Sequence, residues 1–400
     1  MSLSITDVFD ANFYSGANPD LAIAGLTTDT QLLSHFQTFG LNEGRSFSPL
    51  INLNFYRASN SDLANLNNSQ LLDHLQNNGV AEGRSFSPLV DLNYYRINNS
   101  DIASLNNEQL FNHLKNNGIA EGRYFSPIFN LGLYKNNLGL YRDLNPDLAS
   151  LNNSQLLNHF EIYGLNEGRQ FSPYIDFNYY RANNSDLANF SNSQLLEHFE
   201  IFGLNEGRKS SPFFDVGYYK ANNPDLASLN GIQLLEHFNS YGQYEGRPGA
   251  SDYAGNTLST ARQLPVSSNL TYVFDSVGSS DSSDYYRLDL EKASTVSIEN
   301  FSYSRSVLEQ ILDSQGQVIK SRNSRALDKP IITNSSSTNI PITDGLNLNQ
   351  TDPLALTRSD VDRLLELLRA SRTPLDPGTY YIRIEPQAGN TNYSFYISTT

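Results

Sequence analysis

The chain has 400 residues, a net charge of −15, 38% hydrophobic and 12% aromatic residues, and no cysteine, which excludes disulfides, thiol nucleophiles and cysteine-bound metals. Residues 1–250 hold 14 Lys and Arg against 25 Asp and Glu (−11), and residues 251–400 hold 13 against 17 (−4). Such acidity excludes nucleic acid as a partner, because binding a polyanion needs a basic surface.

The N-terminal stretch "MSLSITDVFDANFYSG" has neither a basic start nor an apolar core. We therefore predict no Sec signal peptide, and an extracellular form of this chain would need another export route. No run in the sequence approaches the roughly 20 apolar residues of a membrane-spanning helix, so we predict no membrane insertion.

One motif of about 39 residues recurs six times over residues 1–247. It reads approximately "FDxxYYRxNxDLAxLNNxQLLxHFxxxGLxEGRxFSP". The step between equivalent positions is 46 residues at the fourth unit and 39 elsewhere, because that unit carries an extra heptad in which "LGLY" is repeated at 131–134 and 138–141. The recurrence predicts a six-unit α-helical repeat array whose stacked units share a core.

Each unit is predicted to contain two or three short helices. In the fifth unit, Asp176 is a good N-cap for a helix that carries Tyr180. Asn192 or Ser193 is predicted to cap a later helix with an apolar face, and Gly203 to end it. The "SP" that follows closes the unit, because the residue before proline disfavours the helical region.

All six histidines occupy one position of the repeat, on the edge of that apolar face: His35, His74, His113, His159, His198 and His237. A metal ligand or base and a packing residue are the two interpretations. Equivalent positions in stacked units should lie at least a helix-packing distance of about 8–10 Å apart, too far to share one ion. We therefore predict a structural role.

The "EGR" triplet places an arginine at a second constant position: Arg45, Arg84, Arg123, Arg169, Arg208 and Arg247. Its glycine permits a tight turn, and its arginine can pair with the aspartate of "NPD" or "NSD" in its own or the next unit. A joint between repeats must be copied with every repeat, whereas a catalytic site need not be. We predict that these arginines are structural.

Tyrosine is abundant, with 24 residues. Exposed tyrosines beside asparagines suit sugar binding or protein contacts, whereas buried ones would form the core of the repeats. Tyrosines in the core of the repeats are the favoured interpretation.

Beyond residue 247 the pattern changes. Residues 248–256 are rich in Pro, Gly and Ser and predict a linker. Segments 271–277, 284–290, 294–301, 306–313, 378–386 and 392–398 alternate with a period of two and predict an antiparallel β-sandwich over 257–400. A polar surface insertion at about 322–376 interrupts it, with a helix at 359–371. The predicted fold class is therefore multidomain α plus β.

The stretch "DSVGSSDSSD" brings Asp275, Asp281 and Asp284 close together in sequence, among serines. Carboxylate and hydroxyl oxygens suit calcium, and acidic turns are also common in hairpins. Calcium is therefore the one candidate cofactor.

Two resemblances follow from these motifs. The "FDxxYY…NPDLA…HFxxxGxxEGRxxSP" units resemble repeats of bacterial, especially cyanobacterial, extracellular and surface-associated proteins, and this implies no catalysis. The stretches "DYAGNTLSTARQL" (252–264), "SSDYYRLDL" (282–290) and "LDPGTYYIRIEP" (375–386) resemble the bacterial pre-peptidase C-terminal domain. This second resemblance implies a β-sandwich accessory module, some relatives of which bind calcium or polymeric substrates.

The sequence predicts no enzyme. Residues 251–400 contain neither His nor Cys, so a Ser-His-Asp or Cys-His site cannot lie within them. We predict a non-enzymatic extracellular or cell-surface interaction protein or scaffold, with another protein or an extracellular polysaccharide as partner. A calcium- or glycan-binding adhesin and an accessory subunit of a secreted peptidase or other hydrolase are the alternatives.

Overall fold

The computed structural model describes residues 2–129, 140–268, 270–326 and 372–400. Helical repeats are followed by an antiparallel β-sandwich, which confirms the predicted fold class. The chain divides into two compact units, chiefly Met1–Tyr253 and chiefly the residues from Ala254 onward. In the described ranges no helix is both long enough and apolar enough to cross a bilayer. The helix predicted at 359–371, and all but the last two residues of the duplicated "LGLY", lie outside these ranges.

Each repeat has a short first helix, and in every unit whose helix start lies in the described ranges an acidic or amide side chain caps it. Asp176 Oδ1 accepts a hydrogen bond from Tyr179 N at 2.9 Å, as predicted. A single helical turn follows each first helix. The first helices are Ala11–Ala17, Leu53–Ser59, Leu92–Asn98, Leu140–Asp143, Phe177–Asn183 and Val216–Asn222, after an initial turn at Ile5–Val8. The single turns are Asp20–Ile23, Ser61–Leu63, Ser100–Ile102, Pro146–Leu148, Ser185–Leu187 and Pro224–Leu226.

The third helix of each repeat ends in a wider, π-helical turn. The α-helical parts are Asp29–His35, Asn68–His74, Asn107–His113, Asn153–His159, Asn192–His198 and Gly231–His237. The π-helical turns are Phe36–Gly40, Leu75–Gly79, Leu114–Gly118, Phe160–Gly164, Phe199–Gly203 and Phe238–Gly242. In three units a last α-helical turn follows, at Leu41–Glu43, Leu165–Glu167 and Leu204–Glu206.

The predicted cap of this helix, Asn192 or Ser193, was wrong by one or two residues. Ser191 is the N-cap in the fifth unit, where its Oγ accepts from Gln194 N at 3.2 Å. Asn192 lies inside the helix, and its Nδ2 donates to the carbonyl of Leu165 in the preceding unit at 2.6 Å. The asparagine therefore joins neighbouring units, which is why a second polar residue stands beside the cap.

The predicted end of the helix at Gly203 was also wrong. Gly203 has an ordinary helical φ of −58°, and the left-handed residue that ends the helix is Gly207, with φ +70°. Gly203 is small for another reason. A Cβ at this position would lie 2.1 Å from the hydroxyl oxygen of Tyr180, which packs directly against the helix backbone.

The array winds into two turns, because each of the first three units contacts the unit three places later. Asn52 Nδ2 donates to Glu197 Oε1 at 3.0 Å, which joins units two and five. Asn239 Nδ2 donates to Tyr94 Oη at 3.0 Å, which joins units six and three. The glycine at position 16 leaves room for Ile162, which joins units one and four. Three units therefore complete one turn, and the second turn rests on the first.

Two five-stranded sheets form the sandwich. The strands are β1 Arg262–Gln263, β2 Thr271–Val277, β3 Asp284–Leu290, β4 Ser294–Ser302, β5 Val307–Leu312, β6 Val318–Asn323, β7 Arg325–Ala326, β8 Arg372–Leu375, β9 Gly378–Pro386 and β10 Thr391–Thr399. One sheet has the order β1-β3-β9-β5-β6 and the other β2-β10-β4-β7, with β8 also paired to β4.

Side chains of the sandwich core alternate along the strands. On β4, Val296 and Ile298 are buried, and each is followed by a partly exposed residue. The six strands predicted from alternation are all present. Four strands were not predicted: β1, which has only two residues, and β6, β7 and β8, which border or enter the segment expected to be a surface insertion. Their polar side chains hid them from the alternation pattern.

Replacing Gly203 tests the close approach of Tyr180. We expect Gly203→Ala to lower the free energy of unfolding by about 1–3 kcal/mol, because the added Cβ collides with the hydroxyl. In a Tyr180→Phe background the same replacement should cost clearly less. Gly217→Ala is the matched control, because other units carry Asn at its position: Asn12, Asn54, Asn93 and Asn178. Equal losses from Gly203→Ala in both backgrounds, measured by urea denaturation, would contradict the assignment.

Candidate functional site

The repeat histidine is bound to a buried tyrosine in every unit. The Oη atoms of Tyr14, Tyr56, Tyr95, Tyr141, Tyr180 and Tyr219 lie 2.7–2.9 Å from Nδ1 of the histidine of the same unit. All six tyrosines are fully buried. A buried hydroxyl needs a hydrogen-bond partner, and the histidine supplies it at the edge of the core. One of the two ring nitrogens is therefore engaged in each unit.

Burial favours the neutral form of two of these histidines. It is the main cause of a lowered pKa at His159 and His198, and the nearby guanidinium of Arg169 or Arg208 lowers it further. A neutral imidazole can share a hydrogen bond with a tyrosine hydroxyl in either direction. The sequence did not identify the partner of this ring, and the structure shows that it is the tyrosine.

The "EGR" arginine lies between two carboxylates of its own unit. Arg208 Nη1 is 2.7 Å from Asp186 Oδ1, and its Nε donates to Glu206 Oε2 at 2.6 Å. The arginine–aspartate distance is 2.7–2.9 Å in all six units. The hydrogen bond from Arg208 holds the pKa of Asp186 below its usual range. Because the aspartates are more than half exposed, each pair adds little stability.

Two asparagine positions of the repeat make structural hydrogen bonds that the sequence did not reveal. Asn184 Nδ2 donates to the carbonyls of Tyr180 and Lys209, so it closes the first helix onto the end of the unit. Asn192 accepts from Arg181 and donates across to the preceding unit. Both asparagines recur in the repeat, and recurrence of a polar residue inside an apolar motif was the available signal.

A group of acidic side chains lies along the seam between the two turns of the array. Burial raises the pKa of Glu200 to about 8, and the carboxylates of Asp91 and Glu236 add to the rise. Burial likewise raises the pKa of Glu161 and of Glu236 to about 8. The Oε1 atom of Glu200 is buried and has no hydrogen-bond partner among the described residues. These groups are therefore held in or near the neutral form at moderately acidic pH.

In the sandwich, the structure brings together two of the three predicted calcium ligands. A carboxylate oxygen of Asp281 and one of Asp284 lie within 4.8 Å of each other. Asp284 is fully buried at the start of β3, where its Oδ2 accepts from Tyr393 Oη. Asp275 lies on β2 in the other sheet and is not a member of this pair. Two close carboxylates with one held in place fit a hard cation such as calcium.

Comparisons with known proteins leave the chain without an assigned family. No protein-family model matches it, and no curated protein matches it. Among solved structures it is similar to the pre-peptidase C-terminal domain of collagenase from Bacillus anthracis, at 11% identity over 35% of this chain and 93% of that chain, with a TM-score of 0.19. It is also similar to PliG from Aeromonas hydrophila, a periplasmic inhibitor of g-type lysozyme, at 10% identity over 35% and 95%, with a TM-score of 0.20. Similarity at this level carries no argument about function.

The seam carboxylates predict how stability depends on pH. Their pKa is higher in the folded chain than the ordinary 4.5, so the folded state binds more protons than the unfolded state between pH 4.5 and about 8. The free energy of unfolding of the array should therefore fall as pH rises through this window.

Glu200→Gln should remove the contribution of Glu200 to this pH dependence. That contribution is a decrease in the free energy of unfolding of up to about 1.4 kcal/mol per pH unit. Asp29→Asn, at an exposed helix start, is the control and should leave the slope unchanged. The measurement is urea denaturation at several pH values from 5 to 8. A slope that Glu200→Gln leaves intact would contradict the assignment.

Proposed function

We propose that this chain is a non-enzymatic extracellular or cell-surface interaction protein. The helical array over residues 1–247 would provide the main binding surface. The sandwich over 257–400 would act as an accessory binding module, joined to the array through the linker at 248–256. The partner would be another protein or an extracellular polysaccharide.

The observation that carries the proposal is the engagement of the repeated polar residues. In all six units the histidine bonds to a buried tyrosine and the arginine pairs with two carboxylates of its own unit. Groups held in this way in six identical copies serve the architecture of the repeat. We propose that they are structural joints that hold the outer faces of the array in register, and that binding takes place on those faces.

A calcium-binding adhesin is the second candidate. The pair Asp281 and Asp284 supports it, because two carboxylates within 4.8 Å can share one divalent cation. Calcium bound there would stabilise the sandwich rather than take part in a reaction. The third possibility, an accessory subunit of a secreted hydrolase, has the resemblance of the C-terminal segments as its only support.

Replacing the histidine tests the structural role. We expect His198→Ala to lower the free energy of unfolding by about 1–3 kcal/mol, because the Tyr180 hydroxyl loses its partner. Tyr180→Phe removes the same bond from the other side, so the double variant should cost less than the sum of the single ones.

The binding of partners is the second measurement for the His198→Ala variant. Partners recovered by cross-linking from the medium or the cell surface should be the same for the wild type and for His198→Ala. Unchanged stability together with lost binding, or a hydrolytic activity that depends on His198, would refute the proposed role.

Calcium is tested on the whole chain. Added calcium should raise the melting temperature of the sandwich transition, with a stabilisation of about 2.7 kcal/mol at a hundredfold excess over Kd. Asp281→Asn should abolish the shift, whereas Asp376→Asn, an exposed carboxylate in the same unit, should keep it. A wild-type melting temperature that calcium leaves unchanged would remove the second candidate.

A further inference from the structure

One repeat position carries an aromatic ring in four of the six units, and three of these rings are exposed on the surface of the array. It lies four residues after the histidine and holds Phe39, Asn78, Asn117, Tyr163, Phe202 and Tyr241. Phe39, Tyr163 and Phe202 are 56%, 51% and 49% exposed. Recurrence at one position of the repeat distinguishes these rings from apolar side chains that are scattered singly over a surface.

Each of these rings is held in place by the histidine below it. The ring centroids of Phe39, Tyr163, Phe202 and Tyr241 lie 5.5–5.6 Å from the histidine ring of the same unit. That histidine is fixed in turn by the buried tyrosine. The exposed aromatic side chain is therefore oriented before any ligand arrives, and less conformational entropy is lost on binding.

Each ring has a carboxylate neighbour on its own helix. The glutamate of "EGR" follows four residues later on the same helix, and in the fourth and fifth units 46% of the side chain of Glu167 or Glu206 is exposed. A protein interface generally needs a contiguous desolvated patch with several anchors. A single oriented ring among hydrogen-bonding groups suits a pyranose instead, whose C–H face can stack on the ring while its hydroxyls meet the polar groups.

The net charge of the array limits the class of polysaccharide that it can bind. Residues 1–250 carry a net charge of −11, which disfavours anionic polymers such as uronic-acid or sulfated glycans. A repeated site also favours a repeated ligand, because a polysaccharide offers the same sugar unit to every platform, and several weak contacts made by one protein molecule add up to strong binding.

We propose that the platforms formed by Phe39, Tyr163, Phe202 and Tyr241 with their histidines are stacking sites for an uncharged polysaccharide. This rests on the proposed function, that the array is a binding surface, and names its ligand class. Because three units complete a turn, the platforms of units four, five and six face different sides of the array. One protein molecule can then engage more than one polymer strand.

The test is native affinity electrophoresis of the full chain in gels that contain a soluble mixed-linkage β-glucan, a galactomannan or a xylan. The platform variant carries Phe39→Asn, Tyr163→Asn, Phe202→Asn and Tyr241→Asn. It should fold, because the chain itself has Asn78 and Asn117 at this position. The control variant carries Ile23→Asn and Ile97→Asn, two apolar side chains of the array that are 89% and 44% exposed.

At least one polysaccharide should retard the wild type and the control equally. The platform variant should need about tenfold or more polysaccharide for the same retardation, with its melting temperature unchanged. Equal retardation of all three proteins would overturn the platforms as the site. If no polysaccharide retards the wild type, but a cross-linked protein partner is lost in the platform variant, the sugar ligand is overturned and the proposed interaction function still stands.

Discussion

The array depends on one contact, the insertion of a buried tyrosine hydroxyl between a helical glycine and a histidine nitrogen. In the fifth unit Tyr180 reaches from the first helix to the third, where the lack of a Cβ at Gly203 gives it space and His198 gives it a hydrogen bond. The three residues stabilise the unit only together. An unpaired hydroxyl in the core, or a Cβ in the path of that hydroxyl, would each lower the free energy of unfolding. This explains why all three are present in every unit.

Other repeated features add less to stability and more to shape. The exposed arginine–carboxylate pairs lie on the solvent side, where water weakens their attraction. The asparagines that bridge units, such as Asn192, satisfy carbonyl groups that would otherwise face the joint between neighbours. The buried apolar and aromatic side chains thus supply most of the cohesion of the array.

Features with a local physical cause were predictable from the sequence. The repeat, the cap at Asp176 and six of the strands follow from periodicity and capping chemistry, and the structure has them. The role of Gly203 was not predictable. The sequence does not distinguish a glycine that leaves room for a neighbouring side chain from a glycine that adopts a positive φ. The proximity of Asp281 and Asp284 could be predicted, because they are only three residues apart in the sequence. The separation of Asp275 could not, because it results from strand placement in two different sheets.

The winding of the array gives a meaning to the number of its units. In a simple solenoid each repeat touches only its neighbours, and a unit can be added or deleted with little effect on the others. Here units one, two and three are matched with four, five and six, so that every unit has a partner in the other turn. Six is the smallest number for which this holds. A five-unit chain would leave its third unit unmatched, and growth that keeps full turns would proceed in steps of three. Loss of one unit would therefore remove contacts from both turns of the array.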